Sequence, residues 1–124
     1  MNYHAHIYFK PEELDVGRRL FASAKAAQGP HFQVWRFFDK KVGPHSLPMF
    51  EIHFSHEHKA KVLEWIEENR QGLSVLIHRD SGNDLLDHQE TATWLGSELP
   101  IDYGFFDLVE ANPHLAIHAP HKKD

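Results

Sequence analysis

The chain has no cysteine in its 124 residues, which excludes disulfides, thiolate metal sites, iron–sulfur clusters and cysteine nucleophiles together. It is also short of positive charge. Thirteen Lys and Arg stand against 18 Asp and Glu, net −5 with neutral histidine. No basic field exists to draw the chain onto phosphate backbones or anionic lipid, so nucleic acid is not expected as a partner. No apolar run approaches the ~20 residues of a membrane span, and Met1-Asn2-Tyr3-His4 does not read as a secretory leader. The expectation is a cytoplasmic protein without a membrane partner. A Gly-rich phosphate loop and a serine in a nucleophile-elbow context are both missing, which removes nucleotide binding and serine hydrolysis. The length suits one domain, residues 1–124. What is abundant is histidine, with twelve in the chain. Imidazole is the commonest metal ligand and titrates near neutrality, so the composition points to histidine chemistry.

Hydrophobic periodicity organises the first two thirds. Tyr3 to Phe9 alternates, with Tyr3, Ala5, Ile7 and Phe9 on one face and His4, His6 and Tyr8 on the other, the period of a half-buried strand. Pro11, Glu12 and Glu13 open a helix whose inward stripe is Leu14, Gly17, Leu20 or Phe21, and Ala24, and Gly29-Pro30 stops it. His31 to Phe38 reads as a second strand. The connection from Asp39 to Pro48 is longer than a common hairpin loop and carries Gly43-Pro44-His45, a length that usually has a functional reason. Met49 to Ser55 alternates again, Ser55 caps a helix running to Asn69 with Val62, Leu63, Trp65 and Ile66 inward, and Leu73 to Arg79 is a fourth strand. The order βαββαβ predicts an α+β, ferredoxin-like split βαβ sandwich over 1–79 with strand order 4-1-3-2. Residues 80–124 form a loop-rich extension, with a short helix around Leu85 to Leu95, packed over an edge or the open face. The end, His121 to Asp124, is expected to fray.

In that topology both helices cover one face, which takes Ala5, Ile7, Phe9, Phe50, Ile52, Phe54, Val75 and Ile77. The other face receives the histidines. Antiparallel pairing near the strand midpoints sets His4 between His53 and His78, with His6 beside Glu51, at neighbour spacings of ~5 Å. Imidazoles with a carboxylate on rigid strands suit a first-row divalent ion; two histidines plus one carboxylate is the non-haem Fe(II) triad, and zinc fits nearly as well. A lone histidine on such a face is ordinarily just solvent-exposed, but four converging residues on three strands are a site. His56, His58, His114, His118 and His121 read as plain exposure, Trp65 and Trp94 as core, and Asp87-His88 is ambiguous by pattern.

Four segments in order then resemble one family: Tyr3-His4-Ala5-His6-Ile7-Tyr8-Phe9, Val42-Gly43-Pro44-His45-Ser46-Leu47-Pro48-Met49-Phe50-Glu51, Leu73-Ser74-Val75-Leu76-Ile77-His78, and Leu86-Asp87-His88 with Ala92-Thr93-Trp94-Leu95-Gly96. Together they resemble the DOPA 4,5-dioxygenase family. The resemblance implies extradiol ring opening of a catechol such as L-DOPA by O2, with non-haem iron, on a small ferredoxin-like domain that dimerises. It carries the family's motif histidines and acids onto His4, His6, His45, Glu51, His78, Asp87 and His88; His53 is not a dependable part of the pattern.

The expected ligands are drawn from His4, His6, Glu51 and His78, holding Fe(II), or Zn in a purified sample. His45 or His88 is the expected acid/base, with His53 and Asp87 behind the ligands or against the substrate. His45 sits at the sheet end opposite His4, so its loop must fold across the face or arrive from a homodimer mate. A metal or small-ligand binder without turnover, using the same histidine-lined face, is the alternative.

Overall fold

The computed structural model describes residues 2–83, 87–88 and 92–105. His114, His118 and His121, and the end expected to fray, lie outside them. The elements are β1 (Asn2–Tyr8), α1 (Leu14–Ala27), β2 (Gln33–Phe38), β3 (Met49–Ser55), α2 (Lys59–Asn69), β4 (Val75–Arg79) and β5 (Thr93–Leu95). They form an α+β, ferredoxin-like fold around one five-stranded sheet of order β2-β3-β1-β4-β5, in which neighbouring strands pair antiparallel. Each helix begins as a 3-10 turn, over Pro11–Glu13 and His56–His58. The Glu13 carboxylate accepts from the Lys10 backbone N–H at 2.9 Å, whereas the Ser55 side chain makes no capping bond.

The helix-side core follows the alternation. Ala5, Ile7, Phe50, Ile52, Val75 and Ile77 pack with Leu20, Ala24, Val62 and Ile66 in one buried cluster, each fully buried large aliphatic contributing about 1.5–3 kcal/mol. Trp65 and Trp94 are half-buried at the margins of the two apolar clusters. Helix α1 lies very close to the sheet at Gly17, where an added Cβ would fall 2.6 Å from Phe9 Cδ1. The Phe9 ring is itself stacked on Phe37 at 5.0 Å, so it cannot move aside freely.

Two expectations change. Residues 93–95 are not helical: they pair with β4 as a fifth strand, Leu76 opposite Trp94. β4 would otherwise be an edge with unpaired backbone groups, and Thr-Trp-Leu is a good strand sequence; among the described residues only Asp87 and His88 of that stretch are helical. The second face is not open. Residues Val42, Leu47, Ala92, Trp94, Leu99 and Ile101 pack over Tyr8, Met49 and Leu76, so the loop after β2 and the C-terminal extension cover it within one chain. Among the described residues no helix is long and apolar enough to cross a membrane.

Gly17→Ala should lower stability. Overpacking costs about 1–3 kcal/mol, and the better helix propensity of Ala returns at most ~1 kcal/mol. A urea midpoint equal to or above that of the parent protein would show that Phe9 has room to yield.

Candidate metal centre

Pairing of three central strands assembles the centre. His4 lies opposite His53 on β3 and His78 on β4, and His6 opposite Glu51, as the alternation predicted. The His4 and His53 rings stack at 4.0 Å with 10° between planes, and His4 meets His78 edge-on at 5.3 Å. These side chains are not on a wet face: His6 and Glu51 are 0% exposed, and His4 and His78 are buried. His53 keeps 22% of its side chain accessible.

Hydrogen-bond directions constrain the protons. His78 Nδ1 lies 2.7 Å from the Arg79 carbonyl oxygen. A carbonyl only accepts, so Nδ1 carries the proton and Nε2 presents a lone pair. His6 turns Nδ1 toward Glu51 Oε1 at 3.2 Å, a contact without hydrogen-bond geometry, and turns Nε2 toward His78 Nε2 at 2.8 Å. Two ring nitrogens at that separation share a positive centre, either the proton of a hydrogen bond from His6 Nε2–H to the His78 lone pair or a metal cation. Glu51 also bonds His53 Nε2 through Oε2 at 2.8 Å, and a fully buried carboxylate charge demands compensation. An imidazole-rich set without thiolate, backed by a carboxylate on the far ring nitrogen, fits a first-row divalent ion. The ligating atoms of His4, His6 and His78 lie within 4.8 Å of one another, as do those of His6, His45 and His88, and of His4, Glu51 and His53. These buried clusters could hold a metal.

His45 reaches this centre from its own chain. Gly43 takes a left-handed φ of 56°, His45 N–H closes a turn on the Val42 carbonyl at 3.2 Å, and Asp102 N–H bonds the Pro44 carbonyl at 2.8 Å. The loop is thus tied across the face, and the His45 ring comes within 4.4 Å of His6. No dimer mate is needed for this placement. Asp87 is set by Ser81, whose backbone N–H and hydroxyl donate to its two carboxylate oxygens at 2.8 and 2.7 Å. That pins the chain where His88 packs its ring 4.0 Å from His78.

The structure therefore brings together His4, His6, Glu51, His53, His78, His45 and His88, and places Asp87 behind them. His56 is exposed, as expected, whereas half-buried His58 meets His31, their Nδ1 atoms 3.2 Å apart. Two residues of the centre went without a role in the sequence. Asp80 Oδ2 is 3.3 Å from His4 Nε2, and the Tyr8 hydroxyl is 2.7 Å from His45 Nδ1. The signal was present in both cases, since Tyr8 stands two residues beyond His6 on β1, and Asp80, just past the end of β4, stands two residues beyond His78 and keeps its parity.

Fold and centre define a class: a ferredoxin-like α+β protein with buried, carboxylate-backed histidines able to bind metal. The chain belongs to the Dopa 4,5-dioxygenase family, whose model matches residues 3–105. It is 32% identical over 108 residues to an uncharacterized 21.2 kDa protein of Botryotinia fuckeliana, covering 78% of this chain and 58% of that one. With DOPA 4,5-dioxygenase of Amanita muscaria it shares 29% over 110 residues, 81% of this chain and 47% of that one. The chain thus spans about half the length of the curated relatives it matches. The crystal structure of a candidate dioxygenase from Nostoc punctiforme aligns with a TM-score of 0.79 at 33% identity, over 87% of this chain and 92% of that chain.

Tyr8 provides a test of how dry the centre is. Burial, and after it the negative charge of Glu51 and the nearby Tyr103, hold the Tyr8 phenol well above its ordinary value. Its contribution to stability is complete below the unfolded value of about 10 and is lost as pH rises from there through the folded value, at up to ~1.4 kcal/mol per pH unit. Above pH 10 the urea midpoint of the parent protein should therefore fall more steeply than that of Tyr8→Phe. Parallel curves would mean that the phenol ionises normally in the folded state.

Proposed function

We propose that the protein is a metal-dependent extradiol dioxygenase that opens the ring of a catechol, with L-DOPA a candidate substrate. The observation that carries this reading is the His6–His78 contact, two Nε2 atoms 2.8 Å apart with Glu51 behind one ring and the Arg79 carbonyl behind the other. Membership of a dioxygenase family supports the reaction class. His4, His6 and His78 would hold the ion, which we assign as Fe(II). Glu51, which turns one oxygen to His6 and the other to His53, is the remaining candidate ligand.

The bound ion would supply the Lewis acidity and redox activity needed to take up a catechol and O2. The chain's own residues do the rest. His45 and His88, with ring centroids 4.4 and 5.7 Å from that of His6, would accept a catechol proton and return it to the opening product, work worth about 10²–10⁴ in rate. Packing by the loop and extension excludes water. A cleft of 480 Å³, lined by His4, His53, Asn2, Gln33 and Asp80 among others, offers a route from solvent to the edge of the centre and is of ordinary small-ligand size.

The test is anaerobic Fe(II) loading with metal stoichiometry, followed by oxygen uptake on a catechol panel. The parent protein should retain iron and consume O2 as the ring opens. His78→Ala should lose metal and turnover together; His45→Gln should keep the metal and lose roughly 10²–10⁴ in turnover. Full metal retention with no turnover of any catechol would make the protein a metal binder. Undiminished metal and turnover in His78→Ala would show that the ligands lie elsewhere.

A further inference from the structure

His31 and His58 meet outside the buried centre, and an ordered piece of backbone sets each of them. Gly29-Pro30 ends α1, and the turn that follows closes on itself: Gly29 N–H donates to the Phe32 carbonyl at 3.2 Å, and Val34 N–H donates to Gln28 Oε1 at 3.0 Å. Phe32 is buried and packs its ring 5.4 Å from Trp65 of α2, which fastens the turn to that helix. His58 closes the 3-10 turn that leads into the same helix. The two imidazoles come together there with ring centroids 5.0 Å apart and 67° between planes, their Nδ1 atoms 3.2 Å from each other.

His31 is exposed and His58 half-buried. Without an ion, one imidazole can donate to the other across the gap between them, and the same gap fits a metal ion. With metal–nitrogen bonds of about 2.0–2.1 Å, two neighbouring ligand nitrogens lie about 2.9–3.4 Å apart, from square-planar to tetrahedral angles. Both histidines line the cleft that also reaches His4, His53 and Asp80, so water can fill the coordination positions that two ligands leave open. The charge around the pair is mixed. The positive end of α2 beside His58 opposes a cation, whereas Asp80 in the cleft and Glu64 and Glu68 in the neighbouring hollow that His31 also lines attract one. Two imidazoles without thiolate suit Zn(II), Ni(II) and Cu(II), held more weakly than by three buried ligands.

We propose that His31 and His58 form a second site for a first-row divalent cation, at the mouth of the cleft, bound through both Nδ1 atoms and exchanging with solvent. It shares the cleft with the buried centre and none of its ligands. His4, His6 and His78 are all buried, so a cation that enters by the cleft meets this pair before it meets them. The site stands on the geometry of the pair and does not depend on the dioxygenase reading.

Zn(II) is the probe, titrated into the full metal-free chain, with stoichiometry read by calorimetry and the histidine ring nitrogens followed by two-bond 1H–15N correlations. The parent protein should take up two equivalents, the second more weakly than the first, and the second should move the Nδ1 resonances of His31 and His58. His31→Ala and His58→Ala should each lose the weaker equivalent and keep the tighter one. Both side chains lie outside the helix-side core, so the fold survives either change. Retention of the weaker equivalent by either variant overturns the proposal, as does a second equivalent that moves the ring signals of other histidines only. Uptake of a single equivalent separates the two sites. If His31→Ala abolishes it, the surface pair stands and the buried centre fails as a metal site; if His31→Ala leaves it intact, the surface pair is overturned.

Discussion

His6 and His78 face each other across β1 and β4 with their Nε2 atoms 2.8 Å apart; Glu51 lies 3.2 Å from the other nitrogen of His6, and the Arg79 carbonyl accepts from that of His78. A shared proton or a cation between the two nitrogens holds that arrangement together. Strand pairing holds it in place: antiparallel registry between β1 and both of its neighbours sets the ring positions, and the helix-side core sets the registry. A one-residue slip of β1 would move every histidine to the helix side and every core residue to the metal side. The apolar residues of β1 therefore also specify the centre.

Burial of the centre changes its energetics. Glu51, with no exposure, stands between His6 and His53 as a charge that water does not screen, so its influence on both rings and on any cation beside them is larger than at a surface. The same low polarity strengthens the polar contacts that surround the rings: Asp80 on His4, Tyr8 on His45, Ser81 on Asp87. The second apolar cluster, Tyr8, Met49 and Leu76 under Trp94, Leu99 and Ile101, seals one end of the face. Tyr8 belongs to both halves, with its ring in the cluster and its hydroxyl in the histidine network.

The face thus divides its work along each strand. On β1 the order His4, His6, Tyr8 runs from the polar cleft to the hydrocarbon seal, and the neighbours on β3 and β4 follow the same gradient, from His53 and Glu51 to Met49 and from His78 to Leu76. A ligand arriving by way of the cleft at His4 and His53 meets the imidazoles before the seal. The helix face carries the stability of the fold, which leaves this face tolerant of a charge arrangement that an ordinary core would not contain.

The sequence by itself determined four of the five strands, both helices and the pairing of His4 with His53 and His78 and of His6 with Glu51, because period-two alternation and strand order are local properties that register turns directly into neighbours. It also brought out the motif residues His45, Asp87 and His88 through their family resemblance. Only tertiary structure decided the rest. Thr93–Leu95 became a strand because β4 offered an edge, which no window around those residues contains. His45 reached His6 because residues 101–102 tie its loop across the face, and the face became an interior because two distant segments fold over it. Asp80 and Tyr8 had the right parity, but their roles depend on which nitrogen of a distant ring they meet. Alternation says which side of a sheet a residue faces; what lies above that side, and where the protons sit there, is settled by contacts between residues far apart in the chain.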